Sequence, residues 1–161
     1  MNYLVGIILA LVACGVGRAF RLDRDGAFYP TVLIVVATYY VLFAVMGSDH
    51  EGLLIESVIA AGFAVLAVSG FRHSLWLVVA ALFGHGVLDF YHQSLIENPG
   101  VPPFWPGFCL AFDVTAAMVL AGLLLRRGVF LSRPCGAGFP PSPATPSRTA
   151  TAHRAPVPPG A

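Results

Sequence analysis

The chain has 161 residues, 57% of them hydrophobic and 11% charged, with a mean hydropathy of +0.79. Water-soluble domains carry about 25% charged residues, so the composition excludes one and points to a membrane protein with room for a single helical bundle. A formal net charge of +1 and the lack of any basic run leave no electrostatic footprint for nucleic acid.

Five segments approach the roughly 20 apolar residues that a membrane helix needs. They predict an all-α fold: an integral membrane bundle of five transmembrane helices over residues 1–128, followed by a tail. The first segment, residues 2–17, is the shortest and contains Cys14. Arg18, Arg21 and Arg24 separate it from the second, 29–46, where Pro30 suits a first helical turn. The third, 49–68, opens on Ser48-Asp49-His50-Glu51, which has the S-x-x-E form of a capping box, and carries Glu56. Arg72 and His73 precede the fourth, 74–96, which holds His85, Asp89 and His92. A proline-rich, stiff loop, 97–106, leads to the fifth, 107–125, with Cys109 and Asp113. Residues 129–161 hold eight of the thirteen prolines and almost no large apolar side chains, as in a disordered tail.

Arginine placement predicts orientation. All nine basic residues are arginine, and with five spans every one falls on the same side. The turn at 47–48 and the loop at 97–106 have none. The positive-inside rule then puts the N-terminus outside and the C-terminus in the cytoplasm. Arginine without lysine, in a chain rich in Ala, Gly, Val and Leu, points to a GC-rich bacterial genome, hence to a bacterial inner membrane. The three cysteines form no C-x-x-C pair and read as small hydrophobes.

The fourth segment departs from a plain membrane helix. His85, Asp89 and His92 stand at i, i+4 and i+7, on one helical face. Ionisable groups are expensive in hydrocarbon and turn toward a bundle interior. Glu56, Asp89 and Asp113 each lie seven residues from the outer end of their segment, roughly 10 Å deep. This predicts a shared carboxylate layer in the outer half, with His92 just above it and His85 just below. The two histidines are two turns apart, so Asp89 with one of them, completed by Asp113 or Glu56, is the better metal-binding set. Histidine with carboxylates suits Zn, Fe(II) or Mn. Ala60-x-x-x-Ala64, Ala80-x-x-x-Gly84 and Ala117-x-x-x-Ala121 are patterns that permit close helix approach.

Residues 23–47, the run GHGVLDFYH at 84–92 and PPFWPGFCLAFD at 102–113 together resemble a family of small bacterial multi-pass membrane proteins of unknown function. The resemblance covers about 3–125 and implies no activity, substrate or site residues.

Three functional readings stay open. In the simplest, the polar cluster is structural, in a protein partnered by the bilayer and by further copies of itself or another membrane protein. In the second, His85, Asp89 and Asp113 hold a divalent metal in a hydrolase-like enzyme, with His92 or Glu56 as acid or base. In the third, the stacked groups serve proton- or ion-coupled transport.

Overall fold

The computed structural model describes residues 1–24, 26–48 and 50–131, with side chains described as far as Arg126. Among them the chain forms α1 (Asn2–Ala19), α2 (Phe28–Met46), α3 (His50–His73), α4 (Leu75–Leu95) and α5 (Trp105–Leu131), with no strand. All five helices are long and apolar enough to cross a membrane. Asp49 of the expected capping box and the predicted tail from 132 onward lie outside the described residues.

α1 and α2 pass their sequence-based bounds by two residues and one, and α3 and α5 by more. α3 continues past Val68 to His73, which puts Arg72 in its last turn. Gly70 lies inside this extension, where an added Cβ would run into the Val78 side chain, so the glycine lets α3 and α4 come close at their junction. Ser74 then starts α4 from an extended conformation, its hydroxyl accepting from the Trp76 amide at 3.4 Å. α5 begins at Trp105, with Pro106 in its first turn, and runs beyond the predicted 125.

α5 packs between α1 and α4, and α3 between α4 and α2. α2 leans across the centre to touch α4 and α5, whereas α1 packs on α5 rather than α2. Close contacts sort the ends. Tyr3 meets Gly107 and Gly47 meets Gly100 at one end; Gly26 meets Leu75 at the other, where Arg18 pairs with Asp23 at 3.2 Å. The helices therefore alternate in direction, and Arg18, Arg21, Arg24, Arg72 and Arg126 gather at the end away from the 97–104 loop.

That loop is fastened rather than free. Asn98 donates to the Tyr40 carbonyl at 3.2 Å and accepts from the Gly100 amide at 3.3 Å. Gly100 lies so close to the Phe43 carbonyl that no side chain fits there. Gly6 brings α1 against the backbone of Phe108, and Gly86 brings α4 to 3.3 Å of the Leu110 carbonyl, measured from an added Cβ. The expected Ala80–Gly84 contact does not form: Gly84 is exposed and faces open space, and Gly86 makes the approach to α5 instead.

Burial is inverted relative to a water-soluble protein. Glu56, His85, Asp89, His92 and Asp113 are interior, while Leu4, Ile8, Leu54, Val58, Phe83 and Phe90 stand outside. The packing account predicts that Gly6→Ala, which adds a methyl against the Phe108 backbone, destabilises the protein by about 1–3 kcal/mol. Gly62→Ala and Gly84→Ala, where an added Cβ meets nothing within 4 Å, keep stability or raise it by up to about 1 kcal/mol through helix propensity. Thermal unfolding in detergent measures all three.

Candidate functional site

α4 presents one continuous buried stripe, Val78, Ala81, Leu82, His85, Gly86, Asp89 and His92. Its lower part is aliphatic and its upper part polar, so the stripe sets both the core and the site. α5 answers with Cys109 and Asp113, again one turn apart on a single face, followed by Ala116, Ala117 and Leu120. α3 contributes Glu56 and α2 contributes Tyr40.

The polar groups divide into two assemblies. In the deeper one, His85 Nδ1 lies 2.6 Å from Asp113 Oδ2 and 3.3 Å from Asp89 Oδ2. A carboxylate only accepts, so Nδ1 carries the proton and donates it to Asp113. Cys109 completes the group: one ligand-type atom each from His85, Asp89, Cys109 and Asp113 fall within 4.8 Å of one another, and all four residues are buried. The Phe63 ring caps His85 edge-on at 4.7 Å.

The second assembly lies nearer the 97–104 loop. His92 Nε2 donates to Glu56 Oε1 at 2.7 Å, and Asn98 donates to the same oxygen at 3.0 Å. Tyr40 stacks on the His92 ring with centroids 4.0 Å apart, and its centroid is 6.3 Å from that of His85. Tyr40 thus stands between the two histidine–carboxylate pairs.

Satisfaction differs sharply between them. Glu56 Oε1 has two donors, whereas Asp89 is approached by the Tyr40 hydroxyl, His85 Nδ1 and the Cys109 thiol without a hydrogen bond of good geometry among the described residues, and Oδ1 of Asp113 has no donor there. Asp89 is 0% exposed. Its 3.3 Å approach to His85 is an ion-pair contact without the geometry of a hydrogen bond. The Tyr40 hydroxyl faces Asp89 without a bond of good geometry, and His92 Nδ1 is buried with no hydrogen-bond partner among the described residues. A buried carboxylate without a good hydrogen bond carries a penalty of several kcal/mol unless it takes up a proton or a cation, the His85 imidazolium or a metal ion, balances it.

The donor set suits such a cation. One imidazole, one sulfur and two carboxylates make a borderline N/S/O shell, the chemistry that Zn²⁺ takes. A tetrahedral shell with bonds of about 2.0–2.3 Å has edges of roughly 3.3–3.8 Å. The His85–Asp113 contact of 2.6 Å must open, and the widest separation of 4.8 Å must close, each by about 1 Å.

The structure brings together His85, Asp89 and Asp113, three of the residues singled out in the sequence, and sets His92 and Glu56 apart as a pair. The expected single layer of Glu56, Asp89 and Asp113 is split by rotation about the helix axes: Glu56 turns to His92, Asp113 to His85. Cys109, read from sequence as a small hydrophobe, belongs to the deeper group. The signal for it was its i, i+4 spacing to Asp113, the same spacing as His85 to Asp89. Asn98 and Tyr40 carried no comparable signal. Trp105, the first residue of α5, packs among Tyr39, Phe43 and Phe108. Compared with protein-family models, with curated proteins and with solved structures, the chain matches none.

The pairing predicts strong coupling between His92 and Glu56. Glu56→Ala or His92→Ala alone strands a buried partner and lowers stability by about 3–5 kcal/mol. Glu56→Met combined with His92→Leu recovers most of that loss. A double-mutant cycle on unfolding in detergent reads the coupling.

Proposed function

We propose that this is a five-span protein of the bacterial inner membrane, N-terminus outside and C-terminus cytoplasmic, built around a divalent-metal centre on His85, Asp89, Cys109 and Asp113. The membrane placement is supported by the apolar exterior and the buried charges, an arrangement that lipid stabilises and water does not. The orientation is supported by the arginines collected at one end. The bacterial setting rests on composition and on the resemblance to small bacterial multi-pass membrane proteins. A disordered tail after the bundle belongs to the same reading.

The observation that carries the metal centre is Asp89, fully buried and without a hydrogen bond of good geometry, at the point where ligand-type atoms of His85, Cys109 and Asp113 converge on it. A polar network that serves only to join helices gains from being satisfied throughout; this one is left open where four ligand-type side chains converge. A dication also offsets two of the three negative charges that the two carboxylates and a Cys109 thiolate carry in a low-dielectric interior. Sulfur from Cys109 favours Zn²⁺ or Fe²⁺ over Mn²⁺. Such an ion supplies Lewis-acid chemistry of the hydrolase type. Glu56 and His92, one step along α4, are the acid–base pair available to it.

The closed bonds favour a second reading. His85–Asp113 and His92–Glu56 tie α4 to α5 and α3, as expected of a structural or partner subunit. Ion-coupled transport draws less support. Toward the arginine end the buried centre is mainly aliphatic, Leu33, Leu82, Ala116 and Leu120, and the buried polar groups among the described residues there, Thr115, Tyr29 and Asp23, include no second histidine–carboxylate pair.

Metal analysis of detergent-purified protein separates the readings. The metal centre predicts stoichiometric divalent metal in the wild type and in Glu56→Gln, and its loss in Asp89→Ala. Equal metal in wild type and Asp89→Ala contradicts it. A fall in unfolding temperature for Asp89→Asn with no metal in either protein supports the structural reading instead.

A further inference from the structure

Tyr40 of α2 touches both polar assemblies and is a member of neither histidine–carboxylate pair. It is buried, and it is fastened from three sides. Its ring lies on His92 with the planes 24° apart and meets Phe43 edge-on at 6.2 Å, while its backbone carbonyl accepts from Asn98. A phenol has few rotatable bonds, so these contacts also hold the hydroxyl. It faces Asp89, the carboxylate that lacks a hydrogen bond of good geometry.

We infer that Tyr40 is the positioning residue of the metal centre: its hydroxyl donates to the Asp89 oxygen that the ion does not take, and so holds that carboxylate to a single metal bond. The inference rests on the metal reading and adds a residue to it. Tyr40 does not touch the ion. It acts through Asp89.

The first argument is a count of protons. Three groups approach Asp89: His85 Nδ1, the Cys109 thiol and the Tyr40 hydroxyl. Two of them change character when an ion binds. A ligating imidazole nitrogen and a ligating sulfur carry no proton, so neither can donate to Asp89 in the loaded centre. A phenol keeps its proton, and an ionised carboxylate only accepts. Of the three, Tyr40 alone is left to donate.

The second argument is charge. Two carboxylates and a thiolate around a dication leave one negative charge in excess, and all four ligand residues are buried. A hydrogen bond to an ionised acceptor is about twice as strong as one between neutral groups, and it spreads that excess over a further group. Ligating carboxylates are held by such outer donors in metal sites generally. Closing a tetrahedral shell moves the ligand atoms by about 1 Å. Movement on that scale separates a facing hydroxyl from a bonded one.

The test uses full-length protein in detergent, freed of metal by a chelator. It is titrated with Zn²⁺ against a chromophoric competitor and, separately, with Co²⁺ followed by visible absorption. Wild type is compared with Tyr40→Phe, which keeps the ring on His92, and with Tyr29→Phe. The latter makes the same change at a buried tyrosine of α2, roughly 16 Å along the helix. Tyr40→Phe is expected to bind one Zn²⁺ about 10–100-fold more weakly than wild type, and Tyr29→Phe to match wild type. The Co²⁺ bands of Tyr40→Phe weaken, because Asp89 is free to add its second oxygen and take the ion from four ligands to five. The unfolding temperature of metal-free Tyr40→Phe stays level or rises, since the hydroxyl has no good bond there to lose. Unchanged Zn²⁺ affinity or unchanged Co²⁺ bands in Tyr40→Phe overturn the inference and leave the centre standing. So does equal weakening by Tyr29→Phe, or a lowered metal-free unfolding temperature for Tyr40→Phe, which marks a structural role. Wild type that binds neither ion overturns the centre and this inference with it.

Discussion

His85 and His92 of α4 each hold a carboxylate from a different neighbouring helix, and much of the bundle follows from that. Both histidines are interior, where an ionisable side chain must find a partner or lose its charge. His85 takes Asp113 from α5 and His92 takes Glu56 from α3. α4 is thereby fixed in depth and rotation against two helices at once. Gly86, one residue after His85, allows the close approach to α5 that the first of these bonds requires.

The loop between α4 and α5 is tied into the same system. Asn98 reaches both Glu56 and the Tyr40 carbonyl, so one side chain connects the loop to α3 and α2. Tyr40 in turn lies on His92. Four of the five helices therefore meet at the polar layer, while α1 is held through glycine contact with α5.

The five helices and the interior placement of His85, Asp89 and His92 were legible in the sequence, because segment length and helical spacing are both one-dimensional properties. Depth was legible only coarsely: residue count put Glu56 and Asp113 in one layer, whereas they bind histidines two turns apart on α4. Rotation was not. Glu56 and Asp113 stand at matching heights in the sequence, yet face different histidines, and no count of residues specifies the angle at which α3 and α5 meet α4. Cys109 was readable in principle from its spacing to Asp113, but cysteine is so common as a small buried hydrophobe that spacing alone did not separate it from the core. Asn98 lay in a loop whose return onto Tyr40 depends on the Gly100–Phe43 approach, a tertiary contact without a local pattern.

What distinguishes a metal centre from a set of helix ties is the coordination of Asp89 and the part played by Cys109. Zinc K-edge X-ray absorption on the loaded protein measures both most directly. The account predicts a shell with one sulfur at about 2.3 Å and nitrogen and oxygen near 2.0–2.1 Å, and loss of the sulfur scatterer in Cys109→Ala. A shell of nitrogen and oxygen alone, unchanged by Cys109→Ala, contradicts it.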